Sequence, residues 1–464
     1  MTADQPLRAE ETLSRTLKHR HVAMITIGGI IGAGLFVGSS VAIADAGPAA
    51  VLSYLGSGII IVLLMQMLGE MAVALPSVRS FSEFTRAALG HGAGFVCGWL
   101  YWYFWVVVIP VEAIAGAVLL HGWLGWPSWA LGLGLMGAMT GVNLMSARSY
   151  GEFEFWFASI KVAAIIVFIA LAAGFVFGFA PPGLVSGNLG GAGGFAPHGM
   201  LAVLAGLATV FFAMTGAEIT TVAAAESAEP ARAIATMTRS VMVRILVFYV
   251  LSILCIVSVV SWRRVVPGYS PFTLALLASG HPWIARSMSV VILTAVLSCL
   301  NSAFYVCSRV LFVLAEQGDA PKWLVKLNAR RVPARSVAVG AGVGVLGIVA
   351  NAVAPKGVFA FLVNAGGALI VFIYLLTAAS QIRLRLKHQR EQRPEPSIRM
   401  WGFPWLSYAT IGGLIAVLVA MALSADLASQ LYASLAALVL AVAAYALRRR
   451  AAPRTPRGVA EDRA

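Results

Sequence analysis

Charged residues are scarce in this 464-residue chain: Asp, Glu, Lys and Arg together make up 11%, whereas soluble domains carry about 25%. There are only four cysteines and no CxxC pair, so neither a disulfide scaffold nor a thiolate zinc site is expected. The sequence also contains no GxxxxGK[ST] and no HExxH motif, which argues against direct ATP drive and zinc-dependent hydrolysis. We expect no enzymatic activity, no cofactor and no metal site.

Long apolar runs dominate the chain instead. About 20 consecutive apolar residues cross a bilayer as a helix, and 60% of this chain is hydrophobic. The runs predict an all-α integral membrane protein with twelve transmembrane helices. These runs cover residues 22–45, 48–74, 94–120, 127–145, 154–178, 200–222, 237–261, 284–315, 333–353, 357–382, 404–424 and 427–447.

The formal net charge of +14 follows the predicted topology. Most Lys and Arg residues fall at alternate ends of the spans, and the opposite ends carry only Arg263, Arg264, Arg286 and Lys356. Short basic loops stay on the cytoplasmic side of a membrane, so we predict that both termini are cytoplasmic. Topology thereby explains the excess of basic residues, and nucleic acid is not an expected partner.

Two predicted spans are interrupted in their middle. Residues 28–38 of the first span contain five glycines, and each glycine costs a helix about 1 kcal/mol relative to alanine. The sixth span is interrupted at "AMTGAE", residues 213–218. Interrupted helices at matching positions in two halves indicate an inverted-repeat transporter with a binding site near the bilayer midplane. Close helix packing through small residues is an alternative explanation of the glycines.

Five motifs resemble those of one transporter family. They read "GGIIGAGLFVGSSVAIADAGPA", "WLYWYFWVVVIPVEA", "YGEFEFWFASIKV", "GAEITTVAAAESAEPARAI" and "LSCLNSAFYVCSR". In this order they are similar to motifs of the amino acid permeases of the amino acid–polyamine–organocation superfamily, and the likeness runs from about residue 17 to residue 447. The resemblance is strongest to bacterial members that carry γ-aminobutyrate (GABA).

The resemblance implies a leucine-transporter-type fold. In that fold helices 1–5 are repeated, inverted, as helices 6–10, helices 1 and 6 are interrupted, and two peripheral helices follow. On this basis the chain divides into a cytoplasmic tail (1–21), repeat one (22–178), an external loop (179–199), repeat two (200–382), a basic cytoplasmic loop (383–403), helices 11 and 12 (404–447) and a second cytoplasmic tail (448–464).

The resemblance also implies a function. We expect a secondary active transporter of the bacterial inner membrane that imports amino acids by proton symport and alternating access, with GABA favoured. The expected partners are the amino acid, protons and membrane lipid. Three alternatives stay open: an obligate amino acid exchanger, a permease for another amino acid such as proline, and, more distantly, an amino acid sensor.

The break in helix 1 is the predicted site for the substrate carboxylate. Where the helix restarts, its first peptide N–H groups have no helical acceptor and carry partial positive charge. We assign the carboxylate to Ile31, Gly32, Ala33 and Gly34. Glycine and alanine are needed in this segment because a larger side chain would prevent close approach to the backbone.

The break in helix 6 is the predicted site for the amine. We expect carbonyl groups around Phe212 and Thr215 to receive the ammonium, with Gly216 as the flexible point. In similar transporters the aromatic ring at the position of Phe212 closes over the ligand, although a simple core role fits the sequence equally. Glu218 follows the break; a carboxyl group in hydrocarbon predicts a functional site, either as amine ligand and proton carrier or as a brace for the helix.

Lys161 is the second predicted proton-coupling residue. It lies seven residues beyond Glu154, about 10 Å deeper in the membrane. The resemblance places its ammonium where sodium-coupled relatives hold a cation, near the carbonyl groups around Gly28 and near Ser298 and Asn301. Snorkelling of the side chain to the interface is the alternative.

Helix 3 supplies two further residues of the predicted pocket. Glu112 is buried by position, and both pairing with a neighbouring helix and a role in the pocket fit the sequence. Tyr103 lies in the aromatic cluster "WLYWYFW" and lines the pocket unless it belongs to an interfacial aromatic belt. Ser298 and Asn301 of helix 8 complete this predicted lining.

Overall fold

A computed structural model describes most of the chain, with gaps. The described residues are 31–75, 78, 81–145, 147–179, 187–191, 193–216, 242–243, 245–278, 280, 282–355 and 357–451. Throughout this part of the chain the regular structure is helical. The α-helices are α1 (Ala33–Phe36), α2 (Ser39–Ala46), α3 (Ala50–Ala74), α4 (Phe81–Leu89), α5 (His91–Leu124), α6 (Ser128–Asn143), α7 (Ala147–Gly174), α8 (Gly199–Ala205), α9 (Leu207–Met214), α10 (Ser252–Val259), α11 (Pro271–Leu277), α12 (Pro282–Glu316), α13 (Ala334–Val353), α14 (Val358–Arg390), α15 (Trp405–Leu423) and α16 (Ala428–Ala451). Two π-helical segments, Phe175–Phe179 and Ile245–Leu251, adjoin α7 and α10.

All twelve predicted apolar runs overlap helices of the described chain. Eight stretches there are long and apolar enough to cross a membrane, and two shorter apolar helical stretches accompany them. The count of twelve spans, the inverted repeat and the boundaries between the predicted segments therefore stay predictions. Helix α14 continues through Arg390, so residues 383–390 of the predicted basic loop are helical.

Helix α5 lies at the centre of the bundle, with α12, α13 and α14 packed around it. The helix carries Pro110 in its interior, where proline removes a hydrogen bond and bends a helix. Gly347 of α13 leaves room for that ring, since a Cβ atom there would lie 2.3 Å from Pro110 Cβ. Buried residues line α5 from Gly94 to Ala117.

Several helix ends meet at one face of the bundle, which we call the basic face. Asp319, which follows α12, binds Arg86 of α4 and Arg448 of α16, and its carboxylate lies 3.2 Å from His91 Nε2. Glu70 of α3 accepts a hydrogen bond from Arg385 Nη1 of α14 at 3.0 Å. The first set of contacts joins α4, α12 and α16, and the second joins α3 to α14. The cytoplasmic position of these ends stays a prediction.

The opposite face is covered by the segment before α8. The peptide N–H of Ala49 donates to Phe195 O at 2.9 Å, and His198 Nδ1 lies 2.7 Å from Asp45 O. Ser40 Oγ accepts from the N–H of Gly268 at 3.0 Å, which joins α2 to the connection before α11. Residues between α2 and α3 are thus held at the end of the bundle opposite the basic face.

Candidate functional site

The site is built around the start of α1. Gly32 has an extended backbone (φ −137°, ψ −154°), and the helix begins at the next residue, Ala33. The Gly32 carbonyl accepts from the N–H groups of Leu35 and Phe36 at 3.2 Å each. The first N–H groups of a helix have no acceptor within it. The predicted carboxylate-binding residues Ile31, Gly32, Ala33 and Gly34 therefore lie at a helix start, and all four are buried.

A carboxylate of the protein itself occupies this helix start. Both carboxylate oxygens of Glu112 accept from the N–H of Ala33, at 3.1 Å each. Glu112 is 1% exposed. The Cys299 thiol donates to it, and the Lys161 ammonium attracts it electrostatically. Glu112 thus pairs with a neighbouring helix, one of the two roles that the sequence leaves open, and that helix is the predicted binding segment. Its role in the pocket stays a prediction.

Lys161 lies fully inside the bundle. Its exposed fraction is 0%, so the side chain does not snorkel to an interface. Its Nζ donates to Ser298 Oγ at 2.7 Å, which places helix α7 against α12 as the resemblance implies. Asn301, one turn further along α12, has a different partner: its Oδ1 accepts from Asn143 Nδ2 of α6 at 2.7 Å.

Glycine is required where α1 meets its neighbours. A Cβ atom on Gly32 would lie 2.6 Å from Cys299 Sγ and 2.9 Å from Glu112 Oε1. A Cβ atom on Gly34 would lie 2.7 Å from Ala213 Cα of α9. The glycines therefore serve close packing, and the same packing brings the helix start to Glu112.

The helix that contains Phe212 ends next to this contact. Helix α9 stops at Met214, Thr215 is extended (ψ 143°) and Gly216 has φ +109°, a conformation that favours glycine. The last carbonyl groups of the helix receive side-chain donors: Phe211 O accepts from Thr215 Oγ1 at 2.7 Å, and Ala213 O from the Tyr249 hydroxyl at 3.1 Å.

Phe212 packs in a pocket of aromatic and glycine residues. Its ring centroid lies 5.7 Å from that of Phe104, and a Cβ atom on Gly366 of α14 would lie 2.6 Å from its Cδ2. Tyr103, the predicted pocket residue of helix 3, is 38% exposed and lies outside this cluster. The helix-three aromatic that meets Phe212 is the next residue, Phe104.

The structure thus brings most of the predicted residues together. Glu112 joins the start of α1 to α5, and Gly34 packs against Ala213, next to Phe212 and two residues before Thr215. Lys161 and Ser298 form a second contact, from which the Lys161 charge acts on Glu112. Glu218 and the carbonyl groups around Gly28 lie outside the described residues. Sequence reasoning missed Cys299, Phe104 and Gly366. Among the described residues, no group of three or more His, Cys, Asp or Glu side chains is arranged to hold a metal ion.

Known proteins resemble this chain over nearly its whole length. The sequence model of the amino acid permease family matches residues 21–453. A γ-aminobutyric acid permease of Bacillus subtilis (strain 168) is 44% identical over 89% of this chain and 89% of the relative. A γ-aminobutyric acid permease of Escherichia coli (strain K12) is 47% identical over 87% of this chain and 88% of the relative.

A solved structure shares the fold. The crystal structure of a manganese transporter from Eremococcus coleocola, in complex with an aromatic bis-isothiourea compound, superposes with a TM-score of 0.57. The match covers 96% of this chain and 99% of the solved chain, at 12% sequence identity. At that identity the likeness concerns the fold alone.

Proposed function

Because this chain belongs to the amino acid permease family, we propose that it imports GABA together with a proton. Family membership makes the chain a multi-pass membrane transporter of amino acids rather than an enzyme. The two relatives named as γ-aminobutyric acid permeases support GABA as its substrate. In the proposed cycle the chain alternates between two access states, and its two inverted repeats of five helices rock around the breaks in helices 1 and 6.

The Glu112–Ala33 hydrogen bonds carry the proposal for proton coupling. A substrate carboxylate that binds at the start of α1 needs the N–H group that Glu112 now holds at 3.1 Å. Two ionised carboxylates in one buried site repel strongly, so one of them takes up a proton. In the proposed mechanism Glu112 is protonated, releases the Ala33 N–H and leaves it to the substrate.

Lys161 sets the charge balance of this exchange. Its buried ammonium attracts the Glu112 carboxylate, and a buried cation without a partner is costly. When Glu112 becomes neutral, the substrate carboxylate supplies the negative charge that Lys161 requires. The site then holds one carboxylate charge in either state, which is why proton and substrate enter together.

The amine of the substrate lies, in this proposal, at the end of α9. The carbonyl groups of its last turn already accept hydrogen bonds from Thr215 and Tyr249, so donors other than helical N–H groups reach them. Phe212 closes over the ligand, with Gly216 as the flexible point. Glu218, two residues further along the chain, is the proposed partner for the distal amine of GABA.

Uptake into liposomes tests the proposal. With the interior more alkaline than the exterior, the wild-type protein should accumulate labelled GABA above equilibrium. Glu112→Gln, which stays neutral at every pH, should exchange labelled for unlabelled GABA yet fail to accumulate it. Glu395→Gln serves as the matched control, because this glutamate lies exposed on the basic face, paired with Arg399; it should accumulate GABA normally.

The other outcomes separate the alternatives. Normal accumulation by Glu112→Gln contradicts the role of Glu112 in coupling. Counterflow without net uptake by the wild-type protein indicates an obligate exchanger, and accumulation of proline in preference to GABA indicates another amino acid permease. Substrate binding without any movement across the membrane indicates a sensor.

A further inference from the structure

A groove on the basic face combines cationic and apolar walls. It has a volume of about 570 Å³ and lies between the end of α4, the last turns of α14 and Ile411 of α15. Ala88, Ile382 and Leu386 form apolar parts of its lining. The groove lies outside the proposed transport site, since none of the residues assigned to substrate or proton lines it.

Three cationic side chains of α14 line the groove. Arg383, Lys387 and Arg390 follow one another at spacings of four and three residues, so they share one side of the helix. All three are exposed, and among the described residues that line the groove none is acidic. Arg383 Nε donates to Ala88 O at 3.1 Å, which fixes the side chain at the wall and leaves its terminal nitrogens for other acceptors.

Among the described residues, these three cations form one ion pair, and it is weak. Lys387 Nζ lies 3.8 Å from Glu391 Oε1, with side chains 62% and 37% exposed. Exposed pairs of this kind contribute little, so the groove keeps a strong preference for anions.

Neighbouring residues place the groove at the level of the membrane interface. Trp405 and Tyr408, at the start of α15, are 78% and 50% exposed, and such exposed Trp and Tyr residues mark the headgroup level. Ile411 lies about 9 Å along the helix from Trp405, towards the apolar interior. The groove is therefore apolar at the end that lies deeper in the membrane and cationic at the end that lies at the membrane surface.

We propose that this groove binds an anionic phospholipid. The phosphate group lies against Arg383, Lys387 and Arg390, and an acyl chain follows Ile382, Leu386 and Ile411. Basic pockets between transmembrane helices on the cytoplasmic side suit such headgroups. The apolar part of the lining favours a lipid over a soluble anion, because a free phosphate would leave that surface uncovered.

Binding of phosphatidylglycerol to the delipidated full-length protein in detergent tests the proposal. The wild-type protein should bind phosphatidylglycerol at least tenfold more tightly than phosphatidylcholine, measured by native mass spectrometry. Arg383→Gln/Lys387→Gln/Arg390→Gln should lose this preference. Lys322→Gln/Lys326→Gln/Arg330→Gln removes the same charge from exposed positions beyond α12 and should retain it. GABA binding and thermal unfolding show whether each variant is folded.

Several outcomes of this experiment would contradict the lipid-binding proposal. Equal losses in the two triple variants, or equal binding of the two lipids, would overturn the site. Complete displacement of phosphatidylglycerol by the same concentration of inorganic phosphate would show that the groove binds soluble anions, and would also overturn the lipid proposal. If the groove triple variant does not fold, Arg390→Gln alone should weaken phosphatidylglycerol binding by about fivefold, the effect of one cation near a membrane surface; unchanged binding would refute the proposal.

Discussion

Substitution of Gly34 by alanine tests whether the contact between the two predicted breaks matters for binding. The added Cβ atom would lie 2.7 Å from Ala213 Cα and 3.2 Å from Ala213 Cβ. An ordinary contact begins at 3.4 Å, so α1 and α9 must separate by about 0.7 Å. The nearest atom belongs to the main chain and cannot rotate away.

This separation should weaken both stability and substrate affinity. Overpacking of a well-packed core costs about 1–3 kcal/mol. Gly34 and Ala213 directly follow Ala33 and Phe212, so their contact adjoins the proposed carboxylate site and the proposed amine site. If that cost falls on the bound conformation, GABA affinity decreases about 5- to 150-fold, since 1.4 kcal/mol corresponds to tenfold.

The assay is equilibrium binding of labelled GABA, with thermal unfolding measured on the same preparation. Gly137→Ala in α6 is the matched control, because no heavy atom lies within 4 Å of the added Cβ atom; both quantities should stay at wild-type values or rise slightly. The second substitution Ala213→Gly should not restore Gly34→Ala, since the clash with Ala213 Cα persists. Wild-type affinity in Gly34→Ala would refute the reasoning.

Three further predictions concern other parts of the molecule. Lys161→Ala should abolish pH-driven GABA accumulation in liposomes, whereas undiminished uphill uptake would reject a coupling role for Lys161. Burial alone would raise the pKa of Asp319, but hydrogen bonds from Arg448 and Arg86 outweigh burial and hold that pKa below its ordinary value. The ionised Asp319 therefore stabilises the fold above about pH 4, and this stabilisation is lost as the pH falls further. The unfolding temperature of Asp319→Asn should accordingly depend less on pH than that of the wild-type protein in this acidic range. Gly366→Ala should push the Phe212 ring aside, lower the unfolding temperature by the equivalent of about 1–3 kcal/mol and slow GABA uptake; an unchanged uptake rate would separate Phe212 from the transport step.

The start of the half-helix at Ala33 could be predicted from sequence, because the glycine cluster and the physics of helix ends both point to it. The contact of Lys161 with Ser298 could be predicted only from the family resemblance, because the two residues are 137 positions apart and no local pattern relates them. The partner of Glu112 could not be predicted. The glutamate and Ala33 lie 79 positions apart, and no pattern within one helix reports such a distant contact.

The site residues that were not predicted have no distinctive sequence pattern around them. Tyr103 and Phe104 differ by one helical position, about 100° of rotation, and α5 is apolar on every side, so its periodicity does not show which ring faces Phe212. Cys299 is buried and forms no disulfide, and its contact with Gly32 depends on the packing of two distant helices. Gly366 has the same small-residue signature as any close helix contact.

The Asp319 cluster makes the end of the chain part of the transporter. Helices α15 and α16 follow the two predicted repeats, which suggests that a shortened protein of ten spans would retain the transport site. Such a truncation would remove Arg448 and leave the buried Asp319 carboxylate with Arg86 as its remaining arginine. We therefore expect removal of the terminal helices to lower the stability of the transporter, and a replacement cation at the position of Arg448 to restore it.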